Sequence, residues 1–600
     1  MKKIYTTAFA LFLSLSAMAQ GWPANYGGVM LQGFYWDSYE DTQWTTLEDE
    51  AEELSKYFDL IWVPNSGYCN TTTNFMGYLP IWWFNHLSAF GTEDELRSMI
   101  ATYKELGTGI IEDVVINHKN GDTNWCDFPE ETWDGQTLTW SLADICVGDD
   151  DGATEAEGYE ISGAEDTGED FYGGRDLDHT GENVQNNVKI YLDFLLNELG
   201  YTGFRYDMVK GYAPEYTSLY NQSAQPEFSV GEYWDGTTSN VKWWINGTKD
   251  DDGNIQSAAF DFPMKYHIND VFESASDWST LNDNSLVMDS DYCRYAVTFI
   301  DNHDTYRTDD SSGDPLTANV EAANAFILSL PGTPCVFLPH LQQYEEAIKK
   351  LILVRKAAGI TNQSSILLSL AQSDGYVLRV QGDNGKIQLQ LGSPNISVDG
   401  YSLALEGTNY QLYAEDGIDL SALDSVEANL FDSEVVIPDF CTYDDDEMCA
   451  FFEAPTSWTD DIMCWAWNSS SNFTGGTWPG VECTYLGDTD EGKAVYKWEG
   501  GTLSDDIPTG IIFSNNGSPQ TADLDFENGG YYTYYGLQAV VTGIADITVD
   551  ATDAESGPVK VYSLDGRLLL TAPEGTSISS ATSSLSKGVY IVNNRKYIVE

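Results

Sequence analysis

Gly203-Phe204-Arg205-Tyr206-Asp207 is the stretch that decides how this chain is read. Arg205 and Asp207 are two apart, so on a strand they share a face, and a guanidinium beside a carboxylate favours the ionised form. Short apolar runs of the same kind recur at 28–36, 60–65, 109–117, 203–209, 228–234, 257–263, 295–304 and 334–340. Helical candidates such as 93–106 and 184–199 lie between them, with apolar residues near helical spacing. Eight strand–helix units predict an α/β fold, a closed parallel (β/α)8 barrel of the TIM type. Such barrels carry their working residues at the C-terminal ends of the strands.

Outward from the barrel the rhythm breaks once and then stops. Residues 117–176 separate the third and fourth runs with Gly, Asp and Thr and little periodicity, and an insertion that long reads as a functional loop or small domain. The barrel is therefore set at 20–116 and 177–358, with 117–176 as an inserted domain. Short alternating runs at 376–380 and 387–391 predict an antiparallel sheet domain over 359–431. Two further all-β regions are expected at 432–540 and 541–600.

Composition narrows the partners. The 600 residues hold 95 Asp and Glu against 28 Lys and Arg, a formal charge of -67. That surface repels nucleic acid and anionic lipid and suits a neutral substrate. Acidic runs at 149–151, 250–252 and 444–447 are most simply solvated surface. Aromatic residues make up 13% of the chain, enough to stack on sugar rings as well as fill cores. Met1-Lys2-Lys3, a greasy run at 8–15 and Ala17-Met18-Ala19 before Gln20 have the order of a secretory signal peptide, 1–19. No later stretch reaches the roughly 18 apolar residues of a membrane helix. A secreted or cell-surface monomer is the expectation. Of nine cysteines, Cys126 with Cys146, Cys441 with Cys449 and Cys464 with Cys483 are the nearest pairs, and spacing does not fix their pairing. No Cys-x-x-Cys or Gly-x-Ser-x-Gly signature is present.

Carboxylates gather at the predicted strand ends: Asp207 after run four, Glu232 after run five, and Asp301-Asn302-His303-Asp304 after run seven. Retaining glycoside hydrolysis needs one ionised carboxylate as nucleophile and one protonated carboxyl as acid, about 5 Å apart. Asp207 fits the first role. Glu232, flanked by Tyr233 and Trp234, fits the second, because an apolar setting raises a carboxyl pKa. His118, His303 and Asp304 could bond the hydroxyls of the sugar.

Val29-Met30-Leu31-Gln32-Gly33-Phe34-Tyr35-Trp36, Gly77-Tyr78-Leu79-Pro80 and Asp113-Val114-Val115-Ile116-Asn117-His118 join these strand ends in an order that resembles the α-amylase family, glycoside hydrolase family 13, over about residues 25–430. The resemblance implies Asp207 as nucleophile, Glu232 as acid/base and Asp304 as stabiliser of the transition state. It implies that Arg205, His118 and His303 support them, that Tyr78 stacks under the sugar, and that Lys210 and Trp234 line the leaving-group side. It also implies a structural Ca2+ held by Asn117, Asp166 and Asp176 with the carbonyls of Glu169 and Gly211. The stretch Ile81-Trp82-Trp83-Phe84-Asn85-His86 and the pair Tyr306-Arg307 depart from the plant-type pattern, so outer-subsite specificity is not carried over.

Residues 456–525 resemble the starch-binding modules of carbohydrate-binding family 26, which makes Trp465 and Trp478 the candidate platform on the curved glucan. Each tryptophan there has core packing as its alternative. Val561-Tyr562-Ser563-Leu564-Asp565-Gly566-Arg567 and Lys587-Gly588-Val589-Tyr590-Ile591-Val592 resemble the C-terminal sorting domains of the type IX secretion system, which implies secretion machinery as a partner. The resulting expectation is an endo-acting hydrolase of internal α-1,4-glucosidic bonds in starch. An exo-acting or glucan-transferring member of the family and a non-catalytic starch-binding surface protein are the alternatives, and the intact Asp207, Glu232 and Asp304 argue against the last.

Overall fold

The eight apolar runs close on one another as parallel strands. The computed structural model describes residues 21–541 except 70–74, 125, 149–150, 308–312, 429, 432–436, 439, 445, 456–457, 459–460, 490–491, 505, 518–519, 522 and 535, and four strands beyond residue 541. The barrel strands are β1 (Met30–Gln32), β2 (Leu60–Val63), β3 (Gly109–Val114), β4 (Gly203–Tyr206), β5 (Phe228–Gly231), β6 (Ala258–Phe260), β7 (Ala296–Thr298) and β8 (Thr333–Phe337). They pair in sequence order, and β1 meets β8 through Met30 opposite Cys335 to close the ring. Each strand is shorter than the run that predicted it. Most of the excess residues follow the strands and turn out of the ladder at its C-terminal mouth, where the site forms.

Local chemistry fixes the helices between strands. Glu93–Leu106 begins with a reciprocal Thr92/Glu95 capping box and ends at Gly107 in the left-handed region, which Gly enters at no steric cost. Its Leu96, Met99, Ile100 and Tyr103 face the barrel. The stretch expected at 184–199 is an α-helix over Glu182–Phe194 that widens into a π-turn over Leu195–Leu199. Apolar faces of these helices and of the strands form one continuous core that includes Trp22, Trp44, Trp62, Trp83 and Trp244.

Between β3 and β4 the insertion returns to its own start: His118 and Lys119 pair antiparallel with Asp176 and Arg175. A small hairpin, Glu131–Trp133 with Gln136–Leu138, lies inside it. After the helix Glu345–Ala358 and Gly359, five antiparallel strands follow, Ser365–Gln372, Gly375–Gln381, Lys386–Gly392, Tyr401–Gly407 and Tyr410–Glu415.

The chain divides into two compact units, Met1–Phe431 and Asp432–Glu600. The second unit contains a five-stranded and a four-stranded sheet whose facing side chains, among them Phe452, Cys464, Trp498, Phe513 and Tyr532, make a core. Phe452 stacks on Phe513 at 4.5 Å between ring centroids. Cys464 and Cys483 lie inside this core within hydrogen-bond reach, and burial lifts the Cys464 thiol well above its ordinary value. The last four strands, Val559–Tyr562, Leu568–Ala572, Gly588–Val592 and Arg595–Val599, form an antiparallel sheet. Residues 1–19, expected from sequence to be a signal peptide, and residues 563–567 and 587 of the sorting-like motif lie outside the described residues. Among the described residues no helix is long and apolar enough to cross a membrane.

Candidate active site

Register decides what meets at the barrel mouth. Arg205 on β4 lies opposite Asp113 on β3, so their side chains emerge on the same face. Nη1 of Arg205 is 2.5 Å from Asp113 Oδ1 and 2.6 Å from Asp207 Oδ1, and Nη2 is 2.7 Å from Glu232 Oε1. One guanidinium thus joins three carboxylates at the ends of three neighbouring strands. All four residues are nearly closed to solvent, with Asp207 at 8% and Glu232 at 7% exposure. Asp304 completes the group, because its charge, like that of Asp207, acts on Glu232.

The environments of the acids differ. Burial, opposed by Arg205 and reinforced by Asp207 and Asp304, lifts the Glu232 carboxyl far enough for it to hold its proton at neutral pH. Its Oε2 accepts a hydrogen bond from the Met208 N–H at 3.0 Å. Met208 adopts the left-handed conformation, φ 43, an unfavourable one for a long side chain, and that conformation aims the amide at Glu232. Asp207 has its counter-charge at close range in Arg205. Burial raises Asp113 as well.

A relay of polar rings holds the other side. Gln32 Nε2 lies 3.0 Å from His303 Nδ1, and with the amide donating, the ring proton sits on Nε2. There it faces the Tyr78 hydroxyl oxygen at 2.7 Å and Asp304 Oδ2 at 3.2 Å. The Tyr78 hydroxyl in turn donates a hydrogen bond to Asp113 Oδ2 at 2.9 Å. Burial, then the cations of Arg205 and Arg307, hold His303 well below the usual imidazole range, so it is neutral. The rings of Trp36, Tyr78 and His303 lie parallel within 8°, and Arg307 covers Trp36 at 4.1 Å.

The remaining residues named from sequence fall around this centre. Trp234 stacks on Phe262 at 5.3 Å and donates from Nε1 to Tyr266 at 2.8 Å. Lys210 Nζ lies 3.3 Å from Asp235 and 3.5 Å from Glu169. His118 lies beside the acid cluster, close enough for the Asp207 charge to act on it. Its Nε2 donates to the Tyr78 carbonyl at 2.7 Å and its ring stacks with Phe171 at 4.1 Å, contacts that fix Tyr78 in place. Sequence reading passed over Trp36, Gln32, Trp62 and Asp113. Trp36, Gln32 and Asp113 stand within the quoted motifs.

Asn117, Asp166, Asp176 and Gly211 gather where the insertion meets the barrel. Asn117 donates to Asp176 Oδ1 at 3.0 Å, and a Cβ on Gly211 would stand 2.2 Å from Asn117 Oδ1. Glu169 N–H bonds the Lys210 carbonyl at 2.9 Å. Asn117 Oδ1 and Asp166 Oδ2 are buried without a hydrogen-bond partner. Burial lifts Asp166 to about 6.

In the second unit, Ile462–Trp467 alternates strictly. Ile462, Cys464 and Ala466 are buried, whereas Met463, Trp465 and Trp467 are half-exposed on the other face. Trp465 and Trp467 border a shallow groove with Asn468, Asn472 and Asp523. Trp478, 41% exposed, meets Trp465 at 5.9 Å. Trp458 and Trp498 belong to the core.

Comparison with known proteins agrees with this geometry. Residues 71–350 match the α-amylase catalytic domain family, and residues 450–526 match starch-binding module 26. The chain is 30% identical over 409 residues to "Probable alpha-amylase 2" of Arabidopsis thaliana, covering 64% of this chain and 93% of the relative. It is 26% identical to "Alpha-amylase 3, chloroplastic" of the same plant over 64% of this chain and 44% of that protein. It is 29% identical to "Glucan 1,4-alpha-maltotetraohydrolase" of Stutzerimonas stutzeri over 64% of this chain and 73% of the relative. With a strand ring of the same class and an acid cluster at its mouth, the chain belongs to the α-amylase family of starch-acting glycoside hydrolases.

Proposed function

We propose that the protein is an endo-acting α-amylase that cleaves internal α-1,4-glucosidic bonds with retention, through Asp207 as nucleophile, Glu232 as acid/base and Asp304 as transition-state stabiliser. The observation that carries the reading is the pair of carboxyl groups on one guanidinium, of which Glu232 keeps its proton. Asp207 attacks the anomeric carbon while the C–O bond to the leaving chain breaks and the Glu232 proton moves to the departing oxygen. Water then gives its proton back to Glu232 as its oxygen replaces Asp207, and two inversions restore the original configuration. Asp304, His303 and Tyr78 face the sugar from the opposite side, with His303 as a neutral donor. The test is product analysis on soluble amylose with anomeric NMR. Mixed-length linear oligosaccharides released first as the α-anomer support the reading, whereas maltotetraose alone, in the manner of the relative's name, or cyclic products would replace it with the exo-acting or transferring one.

The orphaned oxygens of Asn117 and Asp166 beside Asp176 and the Gly211 backbone fit a hard cation, which takes about six to eight oxygen ligands. Among the described residues no three His, Cys, Asp or Glu side chains converge on a metal position, so carbonyl oxygens, including that of Glu169, would complete the set. A Ca2+ there would tie the insertion to the barrel. Chelation is then expected to lower the melting temperature, because an ion bound only by the folded state stabilises it, and calcium should restore it. Coincident melting curves with and without chelator would remove the ion from the proposal.

Trp465 and Trp478 are proposed as the ring platform of the starch-binding module, with Trp467 joining them on the exposed face. Replacing both Trp465 and Trp478 by Ala should weaken adsorption to starch granules by about tenfold, the size of two aromatic contacts of roughly 0.5–1.5 kcal/mol each. Cleavage of soluble chains should change little, and equal losses on both substrates would count against the platform. Export through the 1–19 leader and the C-terminal sorting-like sheet is supported by motif resemblance, and a secreted protein that begins at Gln20 would bear out the leader.

A further inference from the structure

The helix Thr238–Gly247 presents two adjacent tryptophans in opposite environments. Trp244 is fully buried and lies so close to the backbone at the end of β5 that a Cβ on Gly231 would stand 2.2 Å from its ring. Gly231 immediately precedes Glu232, so the helix is seated directly against the strand that delivers the acid. Trp243, the preceding residue, is 60% exposed. Between it and the acid lies Tyr233, whose ring is 6.5 Å from Trp243, 6.2 Å from Trp244 and 5.2 Å from Lys210 Nζ. The loop between is rigid, because Asp235 accepts from Thr237 N–H at 2.7 Å and from Asn240 at 3.0 Å while pairing with Lys210.

We propose that Tyr233 and Trp243 form an outer stacking platform on the leaving-group side, which takes distal glucosyl units of long α-glucan chains. The inference rests on the hydrolytic reading above and deepens it. Glu232 hands its proton to the leaving oxygen, so the residues that follow it border the part of the substrate that departs. Lys210, Tyr233 and Trp243 then make a continuous strip away from the bond that breaks. Aromatic faces pack against the C–H faces of pyranose rings without needing charge. A neutral polymer also meets no penalty from the -67 formal charge, which an anionic ligand would. Lys242 on the same helix is already paired with Asp289 at 2.6 Å and lies over Tyr292 at 4.9 Å, so Trp243 is not its cation partner.

The test compares the full-length protein with Trp243→Ala and Trp243→Phe on two substrates. Nitrophenyl maltotrioside has only the nitrophenyl ring on the leaving-group side, whereas maltooctaose extends along the strip. Trp243→Ala should lower kcat/KM on maltooctaose about three- to tenfold, chiefly through KM, as expected for one stacking contact, and should shift its cleavage positions. Its rate on the maltotrioside should equal that of wild type, and Trp243→Phe should recover most of the loss. Equal kinetics for all three proteins on both substrates would overturn the platform, as would equal losses on both. A change confined to mass in light scattering would assign Trp243 to a contact between copies and overturn it too. A wild type that cleaves neither substrate would instead remove the hydrolytic reading itself.

Discussion

Glu232→Gln is expected to cut kcat on soluble starch by about 10²–10⁴-fold while adsorption to granules persists. The amide keeps the shape and still accepts from Met208 N–H, but it has no proton to give, and general acid catalysis contributes a factor of this order. The pH profile carries the same assignment. Burial and the neighbouring charges of Asp207 and Asp304 raise the Glu232 carboxyl, so its active, protonated form persists through neutrality and is lost as pH rises through that elevated value. Wild-type kcat/KM should therefore show an alkaline limb well above the ordinary carboxylate range. An activity that survives in Glu232→Gln, or a profile already falling near pH 5, would take the acid role away from this residue.

Arg205→Met should be the most damaging single change to both stability and rate. It leaves Asp113, Asp207 and Glu232 without the cation that joins them, and removing one partner of a buried ion pair costs about 3–5 kcal/mol. The sign of its pH dependence follows from the same contacts. Arg205 opposes the upward shift of Asp113 and Glu232, so its loss raises both further above their unfolded values. Groups raised in the folded state favour folding at low pH and lose that contribution as pH rises through the folded value. The variant should then melt closest to wild type in mild acid and fall increasingly below it toward alkaline pH. A difference in melting temperature that stays constant across that range would show that the three carboxylates do not depend on Arg205.

The barrel was legible because each strand carries its own signal: an apolar run of strand length that ends in polar residues, repeated until the ring closes. Asp207, Glu232 and Asp304 were legible for the same reason, since each follows a strand directly or by one short turn. Asp113 was not, although it lies in a quoted motif, because its meeting with Arg205 depends on the register between β3 and β4, which no local pattern encodes. Trp36 and Gln32 escaped for a similar reason, as their partner His303 lies some 270 residues downstream, 271 from Gln32. The bond from His118 to the Tyr78 carbonyl, 40 residues upstream, was likewise beyond any local pattern. Among the tryptophans of the second unit, period-two alternation showed that two faces must differ but left open which one is wet.

That alternation has a sharp genetic consequence. Inserting a single codon within the segment for Ile462–Trp467 would invert every later side chain of the strand, so that the half-exposed indoles would be driven into the sandwich and a thiol would be turned outward. A deletion would do the same. Starch binding by this module is thus expected to fail with any shift in reading along one six-residue strand.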